Sequence, residues 1–79
     1  MHFNADAIHF HARDGTADRA IYRVDLPHLP YDGRVRVTGP RHAAGGVEQW
    51  IADRLDNMAA RLGYDVLCGR LYSQVDLRD

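Results

Sequence analysis

Lysine is absent from this 79-residue chain, and cysteine, tryptophan and glutamate occur once each. Each shortage excludes something. A single thiol, Cys68, allows no internal disulfide, which fits a reducing, cytoplasmic setting. No apolar run approaches the roughly 20 residues of a membrane-spanning helix, so no membrane role is expected. The N-terminus lacks a charged start followed by an apolar stretch, so no signal peptide is expected. Without lysine, ten Arg supply all the fixed positive charge, against ten Asp and the one Glu. Two causes compete. GC-rich coding replaces Lys with Arg, and ten Ala beside three Ile fit it. Contact chemistry is the other cause, because the planar guanidinium fork pairs bidentately with carboxylate or phosphate. The arginines are spread along the whole chain, which favours coding bias.

Charge balance narrows the partners. The formal net charge is -1; residues 1–42 sum to +1 and residues 43–79 to -2. Sequence-independent DNA binding needs a basic excess, and this chain has none. It also lacks the dense acidity of a DNA mimic. The 46% hydrophobic content is normal for a globular domain. Residues 1–79 make a single domain that buries only about 60% of its unfolded surface. A deep catalytic cleft is hard to build at this size, and a homodimer contact or other added burial would help it.

Alternation and punctuation mark the elements. Ala7 to Ala12 alternates with period two, placing Ile8 and Phe10 on one face and His9 and His11 on the other. Asp14-Gly15 begins a turn. Ala20 to Leu26 alternates again, with Tyr22, Val24 and Leu26 inward and Arg23 and Asp25 outward. Pro27 and Pro30 end that strand. Tyr31-Asp32-Gly33 reads as a turn. Arg34 to Thr38 is a third strand with Val35 and Val37 inward, stopped by Gly39-Pro40. Val47, Trp50, Ile51, Leu55, Met58 and Leu62 follow steps of three and four, which predicts an amphipathic helix over 46–62. Gly63 is placed to cap it. Val66-Leu67-Cys68 then reads as the start of a strand, with Gly69 a bulge or bend. Leu71, Ser73, Val75 and Leu77 continue the alternation as one kinked strand or two short ones. The expected fold is α+β: a small antiparallel sheet in the order β-β-β-α-β, with one helix on one face and a possible fifth strand.

That packing leaves one sheet face wet, and His9, His11, Arg23, Asp25, Arg34 and Arg36 are all expected on it. They form the candidate partner-binding set. His9-x-His11 is also a pair that could ligate a metal, with His2, His28, His42 or an Asp to complete the set. No third ligand stands at a recognisable spacing, so no metal or other cofactor is expected. Cys68, among Val66, Leu67 and Leu71, reads as a small buried hydrophobe rather than a nucleophile. No Gly-x-Ser-x-Gly, paired-carboxylate or His-Glu-x-x-His pattern is present, so no catalytic residue is assigned. The Gly39–Gly46 segment lacks the spacing of a P-loop and reads as a flexible lead-in to the helix. Few aromatics fall on the wet face, which argues against base stacking and for protein contact. Tyr31, Tyr64 and Tyr72 are interface-type residues that also suit the rim of a core.

Two resemblances carry functional expectations. Tyr22-Arg23-Val24-Asp25-Leu26-Pro27-His28-Leu29-Pro30, then a strand and a helix, resembles HicB-type antitoxins over residues 7–62. Their usual Gly-Cys after the second Pro is replaced by Tyr31-Asp32. Their acidic helix start is replaced by His42 to Gly46, and a separate DNA-binding tail is not expected. As a class, a short α+β chain without catalytic or targeting signature is similar to phage-encoded anti-CRISPR proteins acting on type I effector complexes. That resemblance implies a non-enzymatic inhibitor in a bacterial host cell, binding a larger protein or ribonucleoprotein complex and occluding a functional site. The antitoxin resemblance implies neutralisation of a small toxin. A small metal-dependent enzyme is the third alternative. An open sheet edge would give a second copy somewhere to pair.

Overall fold

Two alternating runs joined by an Asx turn make the first hairpin. The structure, a computed structural model, describes residues 2–30 and 32–78. After a 3-10 turn at Ala5–Ala7, β1 (Ile8–Arg13) pairs antiparallel with β2 (Arg19–Val24). Between them the Thr16 N–H and hydroxyl both donate to Asp14 Oδ1, at 3.0 and 2.8 Å, and Gly15 takes φ 99°. β2 then pairs antiparallel with β3 (Arg36–Pro40). The turn between them starts at Leu26–Leu29, where Pro27 precedes His28 at φ 63°, a type II pattern. Tyr31, expected in that connection, lies outside the described residues.

The third strand runs two residues later than its sequence signals indicate. Gly39 and Pro40 belong to it, opposite Ala20 and Arg19. Pro40 is tolerated because it is the last strand residue. Gly39 is buried where a Cβ would stand 3.4 Å from Ile51 Cδ1, so its missing side chain lets the helix approach the sheet. The Tyr22 hydroxyl donates to Pro40 O at 2.6 Å across the strand end.

Helix α1 (Val47–Leu62) forms where the three-and-four spacing predicts it. Ile51, Ala52 and Leu55 are fully buried against Tyr22, Val24 and Val37 of the sheet, in one core with Ile8, Leu26 and Val35. Asp56, half-buried, accepts the Phe3 N–H at 2.7 Å and ties the N-terminal segment to the helix.

Beyond α1 the structure departs from expectation. Tyr64–Leu71 is a second helix, α2, and not a strand. Tyr64, Leu67, Cys68 and Leu71 fall at steps of three and four. Leu67 and Leu71 are fully buried, Tyr64 and Cys68 pack against the core, and Val66 is half exposed. A short apolar run fits either helix or strand, and tertiary burial selects the helix. The only strand after α1 among the described residues is β4 (Val75–Asp76), and it lies parallel to β3. The sheet is therefore mixed, in the order β1-β2-β3-β4, and not wholly antiparallel. Two helices cross between β3 and β4, and a crossover of that length returns a chain parallel. The α+β class stands.

Glycine conformation gives a paired test. Gly63 joins the two helices at φ 90°, ψ 148°, a region that side chains avoid, with open space around its Cα. Gly63→Ala is expected to cost about 1–3 kcal/mol through the backbone alone. Gly69 lies inside α2 with open space and an ordinary φ. Gly69→Ala is expected to add about 0.5–1 kcal/mol, as alanine does in a helix. Urea unfolding of the two variants checks both signs, and a destabilising Gly69→Ala would argue against α2.

Candidate functional site

The outward face of the sheet is built by register. Arg19, Ile21 and Arg23 alternate with the buried Ala20, Tyr22 and Val24, so they face away from the helices. His9, Arg23 and Arg36 are direct cross-strand partners and form one row. With a proton on Nε2, His9 donates to Asp25 Oδ2 at 2.9 Å, and both side chains are partly exposed. Such an exposed pair adds only about 0–1 kcal/mol, so it orients the imidazole more than it stabilises the fold. The Arg36 Nε donates to Gly33 O at 2.7 Å, which fixes that guanidinium at the head of β3.

The next row is Ala12, Ile21, Thr38 and Asp76. Its apolar half arises from a bulge. Between Phe10 and Ala12 the register slips, so Ala12 sits opposite Ile21 and Arg13 opposite Ala20. One extra residue reverses the facing of everything after it. Ala12 therefore joins the outward face, where strict alternation from Ile8 would turn it inward. Arg19 closes the far end, pairing with Asp76 and donating to Thr38 O. The face thus has an apolar waist, Ala12 and Ile21, between two arginine-bearing ends.

Four of the six candidate residues come together here: His9, Arg23, Asp25 and Arg36. His11 does not join the row. It is the residue skipped by the register at the bulge, exposed and without a cross-strand partner. Arg34 lies before β3, where it clamps Asp32 through Nε and Nη2 and stacks 5.3 Å from the Tyr72 ring. The Arg34 hydrogen bonds hold the Asp32 carboxyl below the usual carboxylate range. Phe10 shares the face of Tyr22, touching its ring edge-on at 6.1 Å, but is 54% exposed. The sequence alone shows neither the bulge nor the ring stack, since both depend on partners distant along the chain.

Among the described residues no ionisable Asp, Glu, Arg or His is buried, and no three His, Cys, Asp or Glu stand close enough to hold a metal ion. Cys68 is half-buried beside Tyr64. The Tyr64 hydroxyl donates to Pro27 O at 2.9 Å. Burial, with Cys68 adding, pushes its phenol up to about 12. Burial likewise raises Tyr22. The folded state therefore holds these protons more tightly than the unfolded chain, whose tyrosines ionise near pH about 10. The Tyr64 contribution is complete below pH about 10 and is lost as pH rises through about 12. Phenolate absorbance followed alongside circular dichroism should show ionisation lagging until the fold gives way. Tyr64→Phe should remove the lagging component assigned to that ring.

No described helix is long and apolar enough to cross a membrane. No protein-family model, curated protein or solved structure matches the chain.

Proposed function

We propose that this chain is a non-catalytic binding protein whose outward sheet face docks on a larger protein or ribonucleoprotein complex and occludes a functional site there. The observation that supports this reading is the ordered face itself. Arg23 and Arg36 stand side by side on adjacent strands, next to the apolar waist of Ala12 and Ile21. An apolar centre flanked by arginine is the composition of protein interfaces, where charged residues other than Arg are depleted from the core. Guanidinium groups held on strands lose little freedom on contact, so their hydrogen bonds to a partner carboxylate or phosphate cost less to form.

The target class follows from the resemblance to small inhibitors of type I CRISPR effector complexes. Tagged protein is passed through a nuclease-treated bacterial lysate containing such a complex, and bound proteins are identified by mass spectrometry. Stoichiometric recovery of effector subunits, lost in the Arg23→Glu/Arg36→Glu variant, supports both target and face. Recovery that survives the variant moves the contact elsewhere. Recovery of a small basic protein instead of effector subunits replaces this reading with the antitoxin one.

A further inference from the structure

A second surface lies on the opposite side of β4. A groove of about 380 Å3 runs between α1 and the C-terminal strand. Met58, Val75 and Leu77 supply its apolar lining, and Arg54, Arg61 and Arg78 its basic groups. We propose that this groove takes an extended acidic peptide segment of a partner protein, added beside β4 as a further strand with its carboxylates on these arginines.

Three observations carry the proposal. The first is the open edge. β3 and β4 are parallel neighbours, and β4 ends the sheet order. The Leu77 N–H donates to Thr38 O at 2.7 Å. Successive residues of a strand alternate the direction of their backbone groups, so the Asp76 N–H and C=O point away from β3, toward the edge. An extended peptide satisfies such groups by strand addition.

The second is charge. Among the described residues the one acid lining the groove is Asp76, and it is already engaged by Arg19 and Arg78. The exposed Arg61 side chain makes no hydrogen bond or ion pair with a described residue. The Arg54 guanidinium is stacked 4.6 Å from the Trp50 ring centre, which limits the directions it can take. Among the described lining residues, three guanidinium groups to one neutralised carboxylate are complementary to an anionic occupant.

The third is the mixture of apolar lining and arginine. A strand alternates its side chains, so a segment with apolar and acidic residues in turn can satisfy both at once. A nucleic-acid strand fits less well. No aromatic residue lines this groove among the described residues, and Trp50, which lies against Arg54, is already stacked by that guanidinium.

This site shares Asp76 with the border of the outward sheet face but none of its arginines, and the test keeps the two apart. The isotope-labelled full chain is titrated by NMR with an end-capped octapeptide of alternating Glu and Val. Parallel titrations use the Lys-Val analogue, a Glu-Val peptide N-methylated at alternate residues, and oligo-dT. Shifts are expected at residues 54–61 and 75–78. Arg61→Glu/Arg78→Glu should weaken binding by about tenfold or more with an unchanged melting temperature. Arg23→Glu/Arg36→Glu should bind the peptide as the parent does. The proposal is overturned by absence of binding, by shifts elsewhere, or by equal affinity of the Lys-Val peptide. Equal affinity of the N-methylated peptide would remove strand addition, and tighter binding of oligo-dT in the groove would replace the peptide with nucleic acid.

Discussion

Leu67→Ala is expected to destabilise the fold by about 2–5 kcal/mol, while Val66→Ala, one residue earlier, stays within about 0.5 kcal/mol of the parent. The contrast follows from α2. Leu67 is fully buried under α1, and truncating it leaves a cavity as well as losing apolar burial. Val66 is 50% exposed on the solvent side of the same helix turn. A domain of 79 residues has a total stability of about 4–12 kcal/mol at the usual 0.05–0.15 kcal/mol per residue. The Leu67 variant therefore sits near the threshold of folding, with a melting temperature lower by roughly 10–30 °C. Chemical unfolding followed by circular dichroism measures both. Similar losses at the two positions would indicate that residues 64–71 are not helical.

Charge reversal of the arginine pair has the other large expected effect. Arg23→Glu/Arg36→Glu should lower affinity for the docking partner by about a hundredfold or more, since Arg anchors in interfaces commonly account for 2 kcal/mol or more each. Both residues are half-buried on the outward face, away from the apolar core, so the melting temperature should change little. Arg34→Glu is the informative control. It breaks a solvent-screened pair with Asp32 and leaves the row of His9, Arg23 and Arg36 untouched. Equal loss of affinity in the Arg34 variant would show that the contact extends to the Tyr72 corner. Calorimetric titration against the purified target separates these outcomes.

What could be read from the chain depended on how local its cause was. α1 was legible because its stripe repeats over four turns. β2 was legible because Tyr22, Val24 and Leu26 alternate with Arg23 and Asp25, and all three apolar residues are buried. The hairpin turn at Asp14-Gly15 was legible because its hydrogen bonds span two residues. The bulge at His11 was not, since period-two alternation simply continues through it in the sequence. Of the candidate site, the placement of His9, Arg23, Asp25 and Arg36 followed from alternation. Arg34 was misplaced because the same alternation was extended two residues beyond the start of β3, into a segment ruled by Asp32. In α2, Tyr64, Leu67, Cys68 and Leu71 carried a helical signal that the β-prone Val66-Leu67 pair obscured. The parallel direction of β4 had no local signal, because it is set by the crossover of both helices.

The brevity of β4 has a thermodynamic consequence. Two residues pair it to β3, so that margin of the sheet can open without unfolding the rest. The same residues border the α1 groove. A molecule that binds only the closed form is therefore linked to the closing equilibrium and stabilises it by RT ln(1 + [L]/Kd). Whatever fills the groove also acts as the clasp of the sheet, and its concentration sets how often that margin is shut.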